Sequence, residues 1–409
     1  MTGGRVFYVA PDPVAALGSQ LSVLAAGDAG LAADPGRITV VPGGGRAGRS
    51  LLDIPEVGRR LQREASAVVL WTGSAAARRR LAELGVPSAN SDPQIARRLE
   101  NKAHFQDAAR ARGIPVPRSV SGVAGPALLA AASHCGRAVF QLARGYSGAA
   151  TFPVQDASEL AALVTRFEGH PCRVAEFIEG TPVTVTGVAL EERVALGPPC
   201  LQLTGLAELT PHPLGSCGND FSSPVPGAEA VAEVAQRTGE WLRELGHRGI
   251  FGVDLVVDPK GRPWCIEVNP RLVASLPLWS LSAPAGSSLL DLHLAAFGLA
   301  EDTGASLDCH WSQLILYQQG RAGSAEAPVS EEGAWGSAGG FVPDRRLTLA
   351  GPGLGRVGLI RRSPAGPGKE LARLILEGPL IGAGGGLLPH LRAAVLALRA
   401  ELEPEPAHQ

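Results

Sequence analysis

The sequence has few lysines, no closely spaced cysteines and no long apolar runs. The last two shortages argue against particular classes of protein. No apolar stretch is long enough to span a bilayer. The opening residues lack the basic region and apolar core of a signal peptide, so we expect a cytoplasmic location. The six cysteines are widely spread without a C-x-x-C pair, which argues against a zinc site and against a disulfide scaffold.

The balance of charged residues argues against two further kinds of partner. The 37 basic and 39 acidic residues leave a net charge of −2, so the composition predicts neither a nucleic-acid nor an anionic-membrane partner. Nearly all basic residues are arginine, and the only lysines are Lys102, Lys260 and Lys369. A lysine in such a chain is a candidate functional residue. The 45% hydrophobic content of the 409 residues predicts a globular protein with a sizeable core.

The N-terminal segment, residues 1–92, alternates predicted strands and helices. RVFYVA, RITVVPG and SAVVLWTG are predicted strands, and PVAALGSQLSVLAAG and AAARRRLAELG are predicted helices. This alternation predicts a small parallel α/β lobe. Asp92 and Pro93 then form a helix start, and we expect one helix that contains Lys102 and ends at Gly113.

The middle of the chain contains a second unit of strands and helices. RAVFQLA, TFPVQ, CRVAEFIEG and TPVTVTGVAL are predicted strands, ARGYSGAA is a glycine-rich loop, and DASELAALVTRFEG and AEAVAEVAQRTGEWLRELG are predicted helices. Residues 205–227 are predicted to be irregular. From about residue 300 we expect a separate region with strands SQLILYQQG, RLTLAG and RVGLIRR and helices KELARLILEG and LPHLRAAVLALRAEL.

The most informative stretch is the predicted hairpin of residues 249–271, GIFGVDLVVDPKGRPWCIEVNPR. Strand alternation places Glu267 and Asn269 on one face. Pairing about the turn puts Asp254 opposite residue 266, and a one-residue bulge would bring Asp254, Glu267 and Asn269 to one point. Two carboxylates and an amide oxygen suit Mg²⁺, which shares phosphate oxygens and water. Arg271 adds a guanidinium suited to phosphate or carboxylate.

These features together resemble the ATP-grasp superfamily, in its carboxylate–amine ligase type and with a carboxylase-like layout. The resemblance covers roughly residues 1–300, and the D…E-x-N-x-R hairpin is its most specific part. It implies an α/β fold with α+β lobes in three parts. These are a Rossmann-like pre-ATP-grasp domain (1–92), a two-lobed ATP-grasp domain (93–300, with lobes 93–178 and 179–300), and a small C-terminal α+β extension (301–409) that closes the structure.

The resemblance implies ATP and Mg²⁺ as cofactors and assigns roles to residues of the predicted hairpin and to Lys102. Asp254, Glu267 and Asn269 match the Mg²⁺ ligands of the family. Arg271, with Asn269, matches the catalytic positions that stabilise the transferring phosphate or acyl phosphate. Lys102 matches the first phosphate-binding lysine of the family.

The nucleotide side follows the family with two departures. Gly145, Ser147 and Gly148 resemble the loop that closes over phosphates, and Glu176, Phe177 and Ile178 resemble the hinge that meets adenine. Gln141 stands where the family has a second lysine, and Arg144 in the loop is the candidate for the missing charge. Pro182 and Val183 stand where a ribose-binding carboxylate is usual.

The expected function is therefore ATP-dependent amide or peptide bond formation, in which an acyl phosphate of a small molecule or peptide is attacked by an amine. The alternatives are a degenerate nucleotide-binding or regulatory protein and a kinase or carboxylase on the same scaffold. Candidates for the acceptor pocket are His212, Asn219 and Asp220 in the long loop, and residues 272–275. The family resemblance is compatible with a homodimer.

Overall fold

The structure is a computed structural model of the chain. It describes residues 5–11, 14–16, 19–26, 38–41, 50–132, 136–145, 148, 150–283, 286–319, 357–361, 368–382 and 384–403. These residues form three sheets with helices packed against them.

The N-terminal sheet is parallel, in the strand order β3-β2-β1-β4. Its strands are β1 (Arg5–Ala10), β2 (Ser22–Ala26), β3 (Ile38–Val41) and β4 (Ala65–Leu70), accompanied by α1 (Pro55–Glu64) and α2 (Ala75–Glu83). The helix expected over PVAALGSQLSVLAAG is wrong, because the described residues of this segment include a 3-10 turn, Val14–Ala16, and the strand β2. A short apolar run that is buried in a parallel sheet has no alternation that distinguishes it from a helix.

The single helix expected from Asp92 onward is also wrong. Asp92 does cap α3 (Pro93–Leu99), but the chain then restarts as α4 (Lys102–Arg110). The Asn101 side chain accepts a hydrogen bond from the Ala103 N–H at 3.1 Å and so begins the new helix. This capping competes with helix continuation. It places Lys102 in the first turn of α4.

A four-stranded antiparallel sheet follows, in the order β5-β8-β6-β7. Its elements are β5 (Ser119–Val123), α5 (Pro126–Ala132), β6 (Ala138–Leu142), β7 (Thr151–Val154), α6 (Ala157–Arg166) and β8 (Pro171–Glu176). Asp156 caps α6 as expected. In the register of β6 and β8, Gln141 lies opposite Arg173.

The large sheet has the order β14-β13-β9-β11-β12-β15-β17-β16, and β10 pairs with β9. Before residue 300 it consists of β9 (Thr181–Ala189), β10 (Val194–Leu196), β11 (Cys200–Thr204), β12 (Ser216–Asp220), β13 (Gly249–Val257) and β14 (Pro263–Asn269). The segment 205–227 is thus not wholly irregular, since it includes β12. Three helices accompany this part of the sheet: α7 (Ala228–Glu244), α8 (Leu276–Ser282) and α9 (Leu289–Ala295).

The C-terminal region extends the same sheet. Strand β15 (Trp311–Tyr317) pairs with β12, so the described strands after residue 300 continue the large sheet. The helix expected over KELARLILEG is wrong: these residues form β17 (Glu370–Glu377), which lies between β15 and β16 (Val357–Arg361). Pairing on both sides overrides the helical preference of the segment. The helix α10 (Pro389–Leu402) forms as predicted, whereas RLTLAG lies outside the described residues.

The core consists mainly of aliphatic and aromatic clusters on the faces of all three sheets. All five cysteines in the described part of the chain are free and buried. None of the described helices is long and apolar enough to cross a bilayer.

Candidate functional site

A cavity of about 560 Å³ is the candidate site, because it gathers side chains from all the segments that the sequence singles out. We call its lining from β13, β14, Arg271 and Lys102 the hairpin side, and its remaining lining from α4, β6 and β8 the small-lobe side. The cavity is lined by Lys102 and Gln106 of α4, Gln141 of β6, Arg173 of β8, residues 175–180, and Asp254, Glu267, Asn269 and Arg271.

The hairpin has the geometry predicted from the sequence. Asp254 lies directly opposite Glu267, and the register shifts immediately after Asp254, which is the signature of the expected bulge. Asn269, two residues beyond Glu267, lines the same cavity. Strand alternation and one bulge therefore bring these three polar side chains together.

Asp254 is held from both sides by amides. Its Oδ1 accepts a hydrogen bond from Gln202 Nε2 and its Oδ2 accepts one from Asn269 Nδ2, both at 3.1 Å. Burial, and secondly the charge of Glu267, raise the pKa of Asp254 to about 6. Gln202, on β11, is a site residue that the sequence reasoning missed. The available signal was its spacing from Thr204, since polar residues two positions apart share one face of a strand.

Lys102 contacts the second carboxylate. Its Nζ lies 2.5 Å from Glu267 Oε2, and only 7% of the lysine side chain is exposed. The restart of the chain at α4 sets this position, because the Lys102 N–H donates to the Ala143 carbonyl at 3.1 Å. A buried ammonium thus neutralises one of the two facing carboxylates.

Arg271 is fixed at three points. Its Nε donates to Glu100 Oε1 at 2.7 Å, its Nη2 to Asn269 Oδ1 at 3.0 Å, and its Nη1 to the Leu272 carbonyl at 3.1 Å. Glu100 lies between α3 and α4, so only the folded structure shows that it pairs with Arg271. The guanidinium is preorganised next to the carboxylates.

The protein side chains alone do not complete a Mg²⁺ site; they fit the ion only together with a bound phosphate group. In the part of the chain that the structure describes, no group of three or more His, Cys, Asp or Glu side chains could hold a metal. Asp254 and Glu267 supply two carboxylates and Asn269 an amide. Because Mg²⁺ prefers six oxygen ligands, this set suits an ion whose remaining ligands are water and phosphate oxygens.

On the small-lobe side, Gln141 and Arg173 lie side by side. Arg173 donates to the Gln141 side-chain oxygen through both Nε, at 3.1 Å, and Nη2. Gln141 Nε2 in turn donates to Thr151 Oγ1 at 3.2 Å. Arg173, which lies between apolar residues of β8, is a cavity residue that the sequence reasoning did not single out.

The glycine-rich loop reaches the cavity through Gly145 and Gly148. Gly148 has a positive φ of 79°, and a Cβ there would lie 2.5 Å from the Gly215 Cα, so only glycine fits. Ser147 lies outside the described residues. Arg144 is exposed, is not among the cavity-lining residues, and donates to the Arg97 carbonyl at 3.2 Å.

The hinge residues Glu176, Phe177 and Ile178 all line the cavity. The Glu176 carboxylate accepts hydrogen bonds from the Arg118 backbone N–H at 3.1 Å and from Arg118 Nε at 2.9 Å. The Arg137 guanidinium lies 4.0 Å from the centre of the Phe177 ring. The Glu176 carboxylate is therefore already paired with Arg118.

The acceptor candidates separate in the structure. Asn219 and residues 273–275 line the cavity, whereas His212 and Asp220 do not. Asp220 is fully buried and accepts hydrogen bonds from Ser222, Ser223, Leu380 and Ile381, so it joins β12 to the C-terminal region.

Trp71 and Thr72 also line the cavity and were missed. Their place after β4, at the carboxyl edge of a parallel sheet, was the available signal.

A comparison with family models finds one match, to a family described as an ATP-grasp domain, over residues 99–275. The matched segment begins before Lys102 and ends after Arg271. It therefore contains all the residues just described on both the hairpin side and the small-lobe side.

Solved structures share the fold at low sequence identity. Carboxyaminoimidazole ribonucleotide synthase from Aspergillus clavatus, complexed with ATP, has a TM-score of 0.65 at 16% identity over 98% of each chain. N5-carboxyaminoimidazole ribonucleotide synthetase from Thermus thermophilus has 0.61 at 15% over 99% of this chain and 100% of its own. The biotin carboxylase domain dimer of Hydrogenobacter thermophilus 2-oxoglutarate carboxylase, with MgADP and bicarbonate, has 0.59 at 14% over 92% and 87%. No curated protein sequence is significantly similar.

Proposed function

We propose that this chain, whose residues 99–275 form an ATP-grasp domain, is an ATP- and Mg²⁺-dependent ligase that joins a carboxylate to an amine. The family match confirms the resemblance seen in the sequence. One observation carries the proposal: Asp254, Glu267, Asn269 and Arg271 meet in a cavity that Lys102 also lines. Facing carboxylates beside preorganised cations are what bound triphosphate and its metal require.

The nucleotide lies along the cavity, with its base at the hinge and its phosphates toward the hairpin side. The hinge supplies apolar surface from Phe177 and Ile178 and backbone polar groups. Gly145 and Gly148 allow the loop backbone to approach phosphate oxygens. Asp254, Glu267 and Asn269 would hold Mg²⁺, which supplies charge neutralisation at the phosphates when bound.

The reaction has two steps. A carboxylate oxygen of the first substrate attacks the γ-phosphorus of ATP, the bond from that phosphorus to the β,γ-bridging oxygen breaks, and ADP leaves. The amine nitrogen then attacks the carbonyl carbon of the acyl phosphate, the carbon–oxygen bond to phosphate breaks, and inorganic phosphate and one proton are released. Arg271, held by Glu100 and Asn269, stabilises the negative charge that develops in both steps.

Besides the proposed phosphate-binding residues, the cavity lining includes Trp71, Thr72, Asn219, Ser275 and Tyr317, which offer aromatic surface and uncharged polar groups to a substrate. Since two structural neighbours are named as a synthase and a synthetase of carboxyaminoimidazole ribonucleotide and a third was solved with bicarbonate, bicarbonate belongs among the carboxylates to test. With bicarbonate, the same chemistry would carboxylate an amine.

A nucleotide-binding protein without turnover is the second candidate, and two residues favour it. Gln141 replaces the usual charged side chain, and Pro182 lines the cavity where a carboxylate that binds ribose would be expected. Both are departures from the family pattern in a scaffold that otherwise keeps its phosphate residues, and such departures are typical of a protein that has lost turnover.

Turnover separates the two candidates. Full-length protein is incubated with MgATP and a panel of carboxylates, including bicarbonate, each paired with amines, and ADP, AMP and phosphate are measured. The ligase releases ADP and phosphate together, only when both substrates are present, and the Asp254→Asn variant does not. Tight MgADP binding without ADP release on any pair supports the nucleotide-binding protein. Release of AMP, or no binding and no release, contradicts both.

We also propose the domain division expected from the sequence, with residues 1–92, 93–300 and 301–409 as its three parts. The separate parallel sheet over residues 5–70 supports the first boundary, whereas β15–β17 share the sheet of the middle part. A homodimer is proposed by analogy with the dimeric biotin carboxylase domain, and sedimentation equilibrium tests it.

A further inference from the structure

Arg173 is a buried charge whose hydrogen-bond partners are all neutral. It is 1% exposed yet borders the cavity. Its Nε and Nη2 donate to Gln141, and its Nη1 lies 3.1 Å from the Gln106 amide oxygen when that oxygen faces the guanidinium. In that orientation the Gln106 nitrogen also donates to the Pro117 carbonyl at 3.2 Å, so the amide is satisfied.

The other cavity cations are neutralised by contact. Lys102 touches Glu267 and Arg271 touches Glu100, each as a direct ion pair. Arg173 has no carboxylate within hydrogen-bond distance in the described structure, and burial lowers its pKa to about 10, against the opposing effect of Glu267. It therefore remains protonated at neutral pH, and its positive charge is not cancelled locally.

The arginine also fixes the chemistry of Gln141. Two guanidinium N–H groups saturate the side-chain oxygen of Gln141, so that oxygen cannot turn toward a ligand. The amide nitrogen has two hydrogens, of which one donates to Thr151 Oγ1 at 3.2 Å. The other is left to donate into the cavity, from a nitrogen made more acidic by the guanidinium on the oxygen.

We propose that Gln141 and Arg173 together form the site for a phosphoryl oxygen of the bound nucleotide. Gln141 contacts the phosphate as a hydrogen-bond donor, and Arg173 is a positioning residue that fixes the amide and supplies the positive charge. The pair thus replaces a single lysine at position 141, with the charge moved to the opposite position on the neighbouring strand. This inference rests on the proposed function, because it assumes that the cavity binds nucleotide.

A negative charge introduced at position 141 tests the contact. Glutamate has the shape of glutamine and pairs with Arg173, so Gln141→Glu is expected to fold. It removes the donor and cancels the charge. We expect its affinity for MgADP, measured by titration calorimetry on the full chain, to fall on the order of tenfold to a hundredfold. The control Arg166→Gln removes an exposed charge of the same lobe, over the Phe167 ring, and should bind as the wild type does.

Relocation of the charge tests the pairing. Arg173→Met removes the charge, so this variant should bind MgADP on the order of tenfold more weakly. Adding Gln141→Lys to it gives a double variant with the charge at position 141. The double variant restores one cation at the cavity wall and should bind within about threefold of the wild type. A purely structural Arg173 would instead make the double variant at least as weak as Arg173→Met.

The outcomes distinguish the inference from its premise. If the wild-type protein does not bind MgADP, both the proposed function and the phosphate site of Gln141 and Arg173 are overturned. Binding by the wild type, with equal affinity in Gln141→Glu or without recovery in the double variant, would overturn the pair alone. Thermal unfolding of each variant confirms that the affinities come from folded protein.

Discussion

The hairpin side and the small-lobe side of the cavity solve the same electrostatic problem differently. On the hairpin side, Glu267 is paired with Lys102 and Arg271 with Glu100. On the small-lobe side, Arg173 contacts only neutral amides. Direct ion pairs hold a precise geometry around the proposed phosphate site, whereas an amide-bound arginine keeps its positive charge available to a ligand. The hairpin side should therefore govern turnover and the small-lobe side binding.

Removing Arg271 should have the largest effect. In Arg271→Met, the donor aimed at the transferring phosphate is lost, and we expect kcat to fall on the order of a hundredfold to a thousandfold with a smaller change in KM. Steady-state ADP release measures it. Arg262→Met is the control, because Arg262 belongs to the turn of the same hairpin and 55% of its side chain is exposed. A fall in kcat below tenfold would place the chemistry elsewhere.

The Lys102–Glu267 pair should show strong energetic coupling. Lys102→Met and Glu267→Gln each leave a partly buried charge without its partner, so each should destabilise the protein more than half as much as the double variant. We expect a coupling energy of about 2 kcal/mol from a double-mutant cycle in urea.

The exposed pair of Arg193 and Asp302, with 40% and 36% of their side chains accessible, serves as the reference. Its coupling should be below about 1 kcal/mol. If the two pairs gave equal coupling energies, the contrast between buried and solvated ion pairs in this protein would be lost.

Acid should weaken the hairpin side through two histidines that hold Ile250 of β13. His293 Nδ1 accepts from the Ile250 N–H at 3.1 Å, and a ring nitrogen of His247 lies 3.1 Å from the Ile250 carbonyl. Burial lowers the pKa of both to about 4. Since the unfolded chain takes up these protons near pH 6.5, their contribution is intact above pH 6.5 and is lost between pH 6.5 and 4.

The expected loss at pH 5.5 is about 1.4 kcal/mol for each histidine. Urea unfolding at pH 7.5 and 5.5 measures it. Of two variants, His293→Asn should reduce the pH dependence, and His170→Asn, at an exposed position of the small lobe, should leave it unchanged. An unaltered pH dependence in His293→Asn would mean that other groups weaken the protein in acid.

The smallest effect is expected at the hinge. The Arg118 side chain is 91% exposed, although it contacts Glu176, so Arg118→Gln should change stability by less than about 0.5 kcal/mol. KM for ATP should change less than about twofold. A tenfold rise in KM would show that the orientation of Glu176 matters for binding the base, and it would weaken the emphasis on Gln141 and Arg173.

The sequence predicted the hairpin side because its residues are local. Asp254, Glu267, Asn269 and Arg271 lie within one hairpin, and alternation plus one bulge determines which of them meet. Family resemblance added Lys102. Glu100, in contrast, could be recognised as the partner of Arg271 only after folding brought the segment between α3 and α4 to the hairpin.

The pairing of Gln141 with Arg173 on the small-lobe side was beyond such reasoning because it depends on strand register. Gln141 and Arg173 are far apart in sequence and meet only through the pairing of β6 with β8. Arg144, which is close in sequence, was therefore the available candidate for the missing charge, and the structure places it on the surface. The misassigned β17 has the same origin, since pairing with β15 and β16 decides its conformation.

Transfer of an oxygen isotope tests the proposed ligase activity most directly. The carboxylate that supports the fastest ADP release is labelled with ¹⁸O in both oxygens, and the inorganic phosphate formed with MgATP and the amine is examined by mass spectrometry. Attack of the carboxylate on the γ-phosphorus predicts one ¹⁸O in each phosphate released. Unlabelled phosphate, with both labelled oxygens still in the carboxylate, would contradict an acyl phosphate and with it the proposed reaction.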